Sequence, residues 1–171
     1  MPEPAERAHR PVRDGVRLGI DVGSVRVGVA RSDPAGVLAS PLETIRRDRG
    51  DVDAVVRLVA ENDVAEVVVG LPTSLSGRQG AAAAAAREFA ARLAARLTKV
   101  PVRLFDERFT TVTAHGALRQ GGRDERARRQ VVDKAAAAVL LQAALDAERG
   151  TGAPPGELAG VCADSPCEVE P

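Results

Sequence analysis

The chain has 171 residues, 24 basic against 24 acidic, with 44% hydrophobic content, three Phe and no Trp or Tyr. That length suits one domain with a proper core, and the composition makes the core aliphatic. Zero net charge removes the global electrostatic signature of a nucleic-acid binder, and the shortage of aromatics excludes base stacking as the main way to hold a single strand. Arginine supplies 22 of the 24 basic residues; it is the better bidentate phosphate ligand, but GC-rich coding produces the same bias. No apolar run approaches the roughly 18 residues of a membrane helix, and residues 1–16 lack a signal-peptide core. The expectation is a soluble, cytoplasmic protein with no membrane partner.

Residues 1–16 and 150–171, rich in Pro, Gly and charge, are expected to be disordered extensions flanking a domain over 17–149. Residues 17–22 and 26–32 alternate apolar with small or polar residues and predict a hairpin turning at Gly23-Ser24. A third strand is predicted from Gly36 to Ile45, with Pro41 placing it at an edge or a bulge. Val52, Val55, Val56 and Val59 recur at helical spacing between Asp51 and Asn62. The continuous apolar run Val67-Val68-Val69 before Gly70-Leu71-Pro72 fits a central strand buried on both faces.

A polar loop over 73–80 precedes an Ala-rich helix from Ala81 to Leu97, with Ala82, Ala86, Phe89, Leu93 and Leu97 on one stripe. A short strand, Val102 to Phe105, runs into Asp106-Glu107-Arg108. Thr110 or Thr111 can cap a helix reaching Arg119 and stopped by Gly121-Gly122. The last helix, Asp124 to Arg149, is expected to bury Val132, Ala135, Val139 and Ala143. The order β-β-β-α-β-α-β-α-α predicts an α/β fold: a mixed five-stranded sheet, three antiparallel strands first, with helices on both faces.

Three acids stand out within this layout. Asp21 sits near the end of the first strand, Glu107 follows the last, and Asp133 lies in the final helix among Val and Ala. Each has an ordinary explanation. Asp21 can cap its turn, and Asp133 can pair with Arg129 one helical turn earlier. The functional explanation gathers all three at one end of the sheet, where their repulsion calls for divalent cations. Oxygen ligands without Cys or His indicate Mg²⁺ or Mn²⁺, and two such ions about 4 Å apart can drive phosphodiester hydrolysis. Arg26, Arg108, Arg126 and Arg129 lie nearby in sequence as candidates to hold phosphates, the alternative being a solvated face. His115 is a candidate base or an ordinary helix residue. Neither a P-loop nor a Gly-x-Ser-x-Gly elbow occurs. An Asp-x-Gly turn also occurs in the phosphate loops of sugar-kinase and actin-like ATPases, but 171 residues leave no room for their second lobe.

The runs GIDVGSVRVGVARSD, VVVGLP, FDERFTT and VDKAAAAVLLQ together resemble the YqgF/RuvX family over about residues 16–149. The loop GLPTSLSGRQG departs slightly from the family's pattern, and both terminal extensions fall outside it. The resemblance implies a ribonuclease H-like fold and a metal-dependent nuclease domain, with Asp21, Glu107 and Asp133 as catalytic and metal-binding acids. It implies processing of the 5′ end of pre-16S rRNA, or else resolution of four-way DNA junctions; a nucleic-acid-binding module without catalysis is the remaining alternative. A symmetric resolvase is expected to be a homodimer, whereas an RNA-trimming enzyme works as a monomer. Cys162 and Cys167 are the chain's only cysteines, spaced poorly for zinc. They leave open a dimer disulfide-linked through either one.

Overall fold

The computed structural model describes residues 12–72, 80–109 and 125–160, with the side chains at 109, 125–128 and 130 left aside. The alternating segments form the hairpin they predict. Strand β1 (Val16–Val22) pairs antiparallel with β2 (Arg26–Ser32), with Ile20 opposite Val29 and Asp21 opposite Gly28. Strand β3 (Ala39–Arg46) continues the meander at the sheet edge. Both readings of Pro41 hold: the strand is an edge, and the register with β2 shifts where Pro41 pairs with Ala30.

Helix α1 (Asp51–Glu61) leads to β4 (Val64–Leu71), and α2 (Ala81–Arg96) leads to β5 (Val102–Asp106). A 3-10 turn over Glu107–Phe109 follows, then the long helix α3 (Glu125–Thr151) and a two-residue strand β6 (Glu157–Leu158). The sheet order is β3-β2-β1-β4-β5-β6, with β4 parallel to both β1 and β5. Strand β4 is therefore central, and its apolar run is buried on both faces. The sheet has six strands rather than the five expected. Composition hid β6, because Gly and Pro dominate around it. Gly156 adopts φ 67, and a side chain there would overlap the Leu104 carbonyl, so only glycine lets the tail turn back onto β5.

The two faces bury separate cores. Leu18, Ile20, Val27, Val29, Val67 and Val69 meet α1 and α2 through residues such as Val55, Phe89 and Leu93. Ala30, Val68 and Phe105 meet α3 through Ala137, Leu141 and Leu145. The buried stripe of α3 differs from the expected one. Val132 is 37% exposed, and the packed positions are Ala137, Ala138, Leu140, Leu141, Ala144 and Leu145. The buried side chains of α3 lie in its C-terminal half, while Val131 and Val132 on its early turns face solvent.

Within the two stretches expected to be disordered, residues 12–16 and 150–160 have defined structure. Val12 is buried against the α3 core, and Arg13 bonds to Glu148 through both its backbone NH and Nε (3.0 and 2.8 Å). At the other end the chain is helical through Thr151 and pairs again at β6. The expected helix between Thr110 and Arg119, most of the 73–80 loop, His115 and both cysteines lie outside the described residues.

Candidate active site

Period-2 alternation decides which side chains face α3. Gly19 does: a Cβ there would lie 2.6 Å from the Leu141 Cβ. Asp21, two residues on, shares that face near the C-terminal end of β1 and is partly buried. On β2 the same face carries Gly28, the register partner of Asp21. Any side chain at Gly28 would overlap the backbone carbonyl of Asp133. Helix α3 is thus seated directly on β2 at the residue that carries the third acid.

Glu107 arrives from the other side. Strand β5 pairs Phe105 with Gly70 and Asp106 with Leu71, and the 3-10 turn begins at once. The turn carries the Glu107 carboxylate back over β4, its Oε1 2.7 Å from where a Gly70 Cβ would stand. Leu140 of α3 contacts the same spot, which puts Glu107 on the α3 face too. Asp21, Glu107 and Asp133 therefore share one face and one end of the sheet, over a floor kept bare by Gly28 and Gly70.

The acids are not closed into a ligand set. Among the described residues no three His, Cys, Asp or Glu side chains are gathered closely enough to hold a metal ion. Asp133 is instead engaged by Arg26, whose Nε donates to Oδ2 at 2.6 Å. Both side chains are about a quarter exposed, at 24% and 30%. Arg26 begins β2 on the same face as Gly28, so the strand that seats α3 also supplies the cation to its carboxylate. As a donor set the three acids would offer a hard divalent cation oxygen alone, and Gly28 and Gly70 let Asp133 and Glu107 approach the sheet closely.

The candidate phosphate ligands divide. Arg26 faces the acids. Arg108 turns to Asp106, donating from its backbone NH and Nε (both 2.8 Å) and pairing through Nη2 at 2.6 Å. Arg129 is exposed on α3 one turn before Asp133, and the Arg126 side chain lies outside the described residues. Sequence reasoning listed Arg26 as a substrate residue and missed it as the partner of Asp133. It also missed Gly28 and Gly70. On β2 the signal was present, since Gly28, Ala30 and Ser32 recur on one face, whereas on β4 Gly70 follows Glu66 and Val68 and carries no such pattern.

At the far end of the same face lies a second charged cluster, which sequence reasoning did not detect. Glu66 and Glu148 are each 2% exposed and are shared among Arg13, Arg17 and Arg103. Burial alone pushes the Glu148 carboxyl up, but hydrogen bonds from Arg13 and the charge of Arg17 outweigh it and hold Glu148 below the usual glutamate range. This cluster ties the C-terminal end of α3 to β1, β4 and β5 and contains no exposed acid.

Comparison with known proteins agrees with this architecture. Residues 15–147 match the RuvX family, described as Holliday junction resolvases. A relative from Nocardioides is 62% identical over 86% of this chain and 97% of its own length, and one from Thermobifida fusca is 60% identical with the same coverage. A third, from Streptomyces coelicolor, is 52% identical over 85% of this chain and 89% of its own. All three carry the name "Putative pre-16S rRNA nuclease". Among solved structures, Thermus thermophilus RuvC in complex with a Holliday junction substrate superposes with TM-score 0.53 at 15% identity, over 80% of this chain and 97% of that one. That likeness establishes the ribonuclease H-like fold and nothing finer. With residues 15–147 matched and relatives identical at more than half of the positions over most of both chains, the chain belongs to the RuvX family and is a nuclease.

Proposed function

We propose that the protein is a divalent-metal-dependent endonuclease that processes the 5′ end of pre-16S rRNA, with Asp21, Glu107 and Asp133 as its catalytic and metal-binding acids. The observation that carries the substrate is the high identity to relatives named for that RNA. What supports the site is the shared face of the three acids over Gly28 and Gly70.

A bound Mg²⁺ or Mn²⁺, one ion or a pair, supplies Lewis acidity and charge for hydrolysis of the phosphodiester bond. The chain's own part is positioning. Asp21 is fixed by the β1–β2 hairpin, and Glu107 by the 3-10 turn that follows β5 directly. Asp133 is fixed by the seat of α3 on Gly28. Held in place by the fold, the three acids would keep a bound cation at the reacting phosphate with little reorganisation. Arg26 and Arg129, with Arg126 from the start of α3, bind flanking phosphates and set the register of the nucleic acid.

The second reading, cleavage of a four-way DNA junction, is favoured by the family's description. Purified protein offered a pre-16S 5′ leader RNA and a four-way DNA junction, each with Mg²⁺ and with Mn²⁺, separates the two. Cleavage of the leader alone supports the first, and paired symmetric cuts in the junction alone support the second. Binding of both without cleavage under either metal rejects the enzyme reading in favour of a binding module. Cys162 and Cys167, the residues expected to link a disulfide-bonded homodimer, lie outside the described residues.

A further inference from the structure

The Arg26–Asp133 pair is unusual in its placement. It joins residues 107 positions apart, at a half-buried site, and it ties up one of the three acids that the proposed chemistry needs. We propose that Arg26 and a divalent cation compete for Asp133: the guanidinium compensates the acid cluster before metal arrives and is released from Asp133 when metal binds. This rests on the metal-site reading above and adds a positioning role for Arg26 within it.

Three observations carry the inference. The Arg26 Nε lies 2.6 Å from Asp133 Oδ2, so the guanidinium fills the coordination space at that oxygen. The backbone of Asp133 is pinned by the seat on Gly28, so the carboxylate cannot escape Arg26 by a shift of the helix. Arg26 itself is long, flexible and at the outer start of β2, so it is the partner able to move. Two positive groups at one carboxylate repel, so each weakens the hold of the other on Asp133. Linkage then makes the effect reciprocal. Whatever factor the Arg26 pair takes from cation affinity, the cation takes from the pair. A released guanidinium still stands at the rim of the site, where a substrate phosphate can become its new partner.

The test is a Mn²⁺ titration of the full chain, freed of metal with EDTA and dialysed, reading free Mn²⁺ by electron paramagnetic resonance without substrate. R26Q is expected to bind Mn²⁺ about tenfold more tightly than the wild type, and R26K to fall between them. Thermal melts add a second readout. R26Q is expected to melt below the wild type in EDTA, with the gap narrowing at saturating Mn²⁺. Unchanged or weaker binding by R26Q overturns the proposal. Should R26Q fail to fold, R26K decides alone, and affinity no greater than wild type overturns it. D21N and D133N separate the two layers. If both variants bind as the wild type does, the metal-site reading fails and this proposal with it. If both lose affinity while R26Q gains none, only the exchange at Asp133 is overturned.

Discussion

Asp21 owes its role to one step of strand alternation. Its neighbours Ile20 and Val22 point toward α1 and α2, so the carboxylate is left on the α3 face beside Gly28. Removing its charge leaves the strand pairing intact and, on the proposed function, takes away one of the metal-binding acids. Asp21→Asn is therefore expected to lower Mg²⁺- or Mn²⁺-dependent cleavage by at least about a hundredfold, with an unchanged circular dichroism spectrum as the check on folding. Glu107→Gln is expected to behave in the same way. Both acids were legible in the sequence, because a carboxylate at a strand end is a local anomaly. The partner of Asp133 was not. Local spacing offered Arg129, and the chain brings in Arg26 as well, from the first hairpin. Contacts across 107 residues are written in the fold, not in the spacing. Arg108 teaches the same lesson at short range, since Asp106 two residues earlier captures it.

At the scale of elements, α3 is held at two points of different chemistry. Near its start it lies on glycines; near its end it is tied by buried charge. Gly28→Ala forces a side chain into the Asp133 carbonyl and is expected to cost about 1–3 kcal/mol in a denaturant titration, with loss of cleavage as Asp133 shifts. Gly150, in the last turn of the same helix, meets nothing within 4 Å, so Gly150→Ala is expected to stabilise by about 0.5 kcal/mol. At the tied end, Glu148→Ala leaves buried Arg17 without one of its two carboxylates and is expected to cost about 3–5 kcal/mol. The same contact sets a pH dependence. The folded Glu148 carboxyl titrates below its ordinary value of 4.5, so its contribution is complete above that pH and is lost as the pH falls through the lowered folded value. Glu148→Gln is expected to flatten that part of the acid melting curve. The regular elements were readable from periodicity, whereas the α3 stripe, the N-terminal clamp and β6 were not. Each of those depends on which surfaces the sheet offers.

For the molecule as a whole, the α3 face separates support from chemistry. The buried network of Glu66, Glu148, Arg13, Arg17 and Arg103 anchors one end, and the three acids with Arg26 occupy the other. On the opposite face the buried hydrophobic cluster is aliphatic apart from Phe89 and lies under α1 and α2. No helix among the described residues is long and apolar enough to cross a membrane. The most direct test of the account is cleavage of a pre-16S 5′ leader RNA, alongside a four-way DNA junction, by the wild type and by Asp21→Asn in Mg²⁺ and in Mn²⁺. The account predicts metal-dependent cutting of the leader by the wild type, abolished by EDTA and lost in the variant. Full metal-dependent cleavage of both substrates by Asp21→Asn would contradict it.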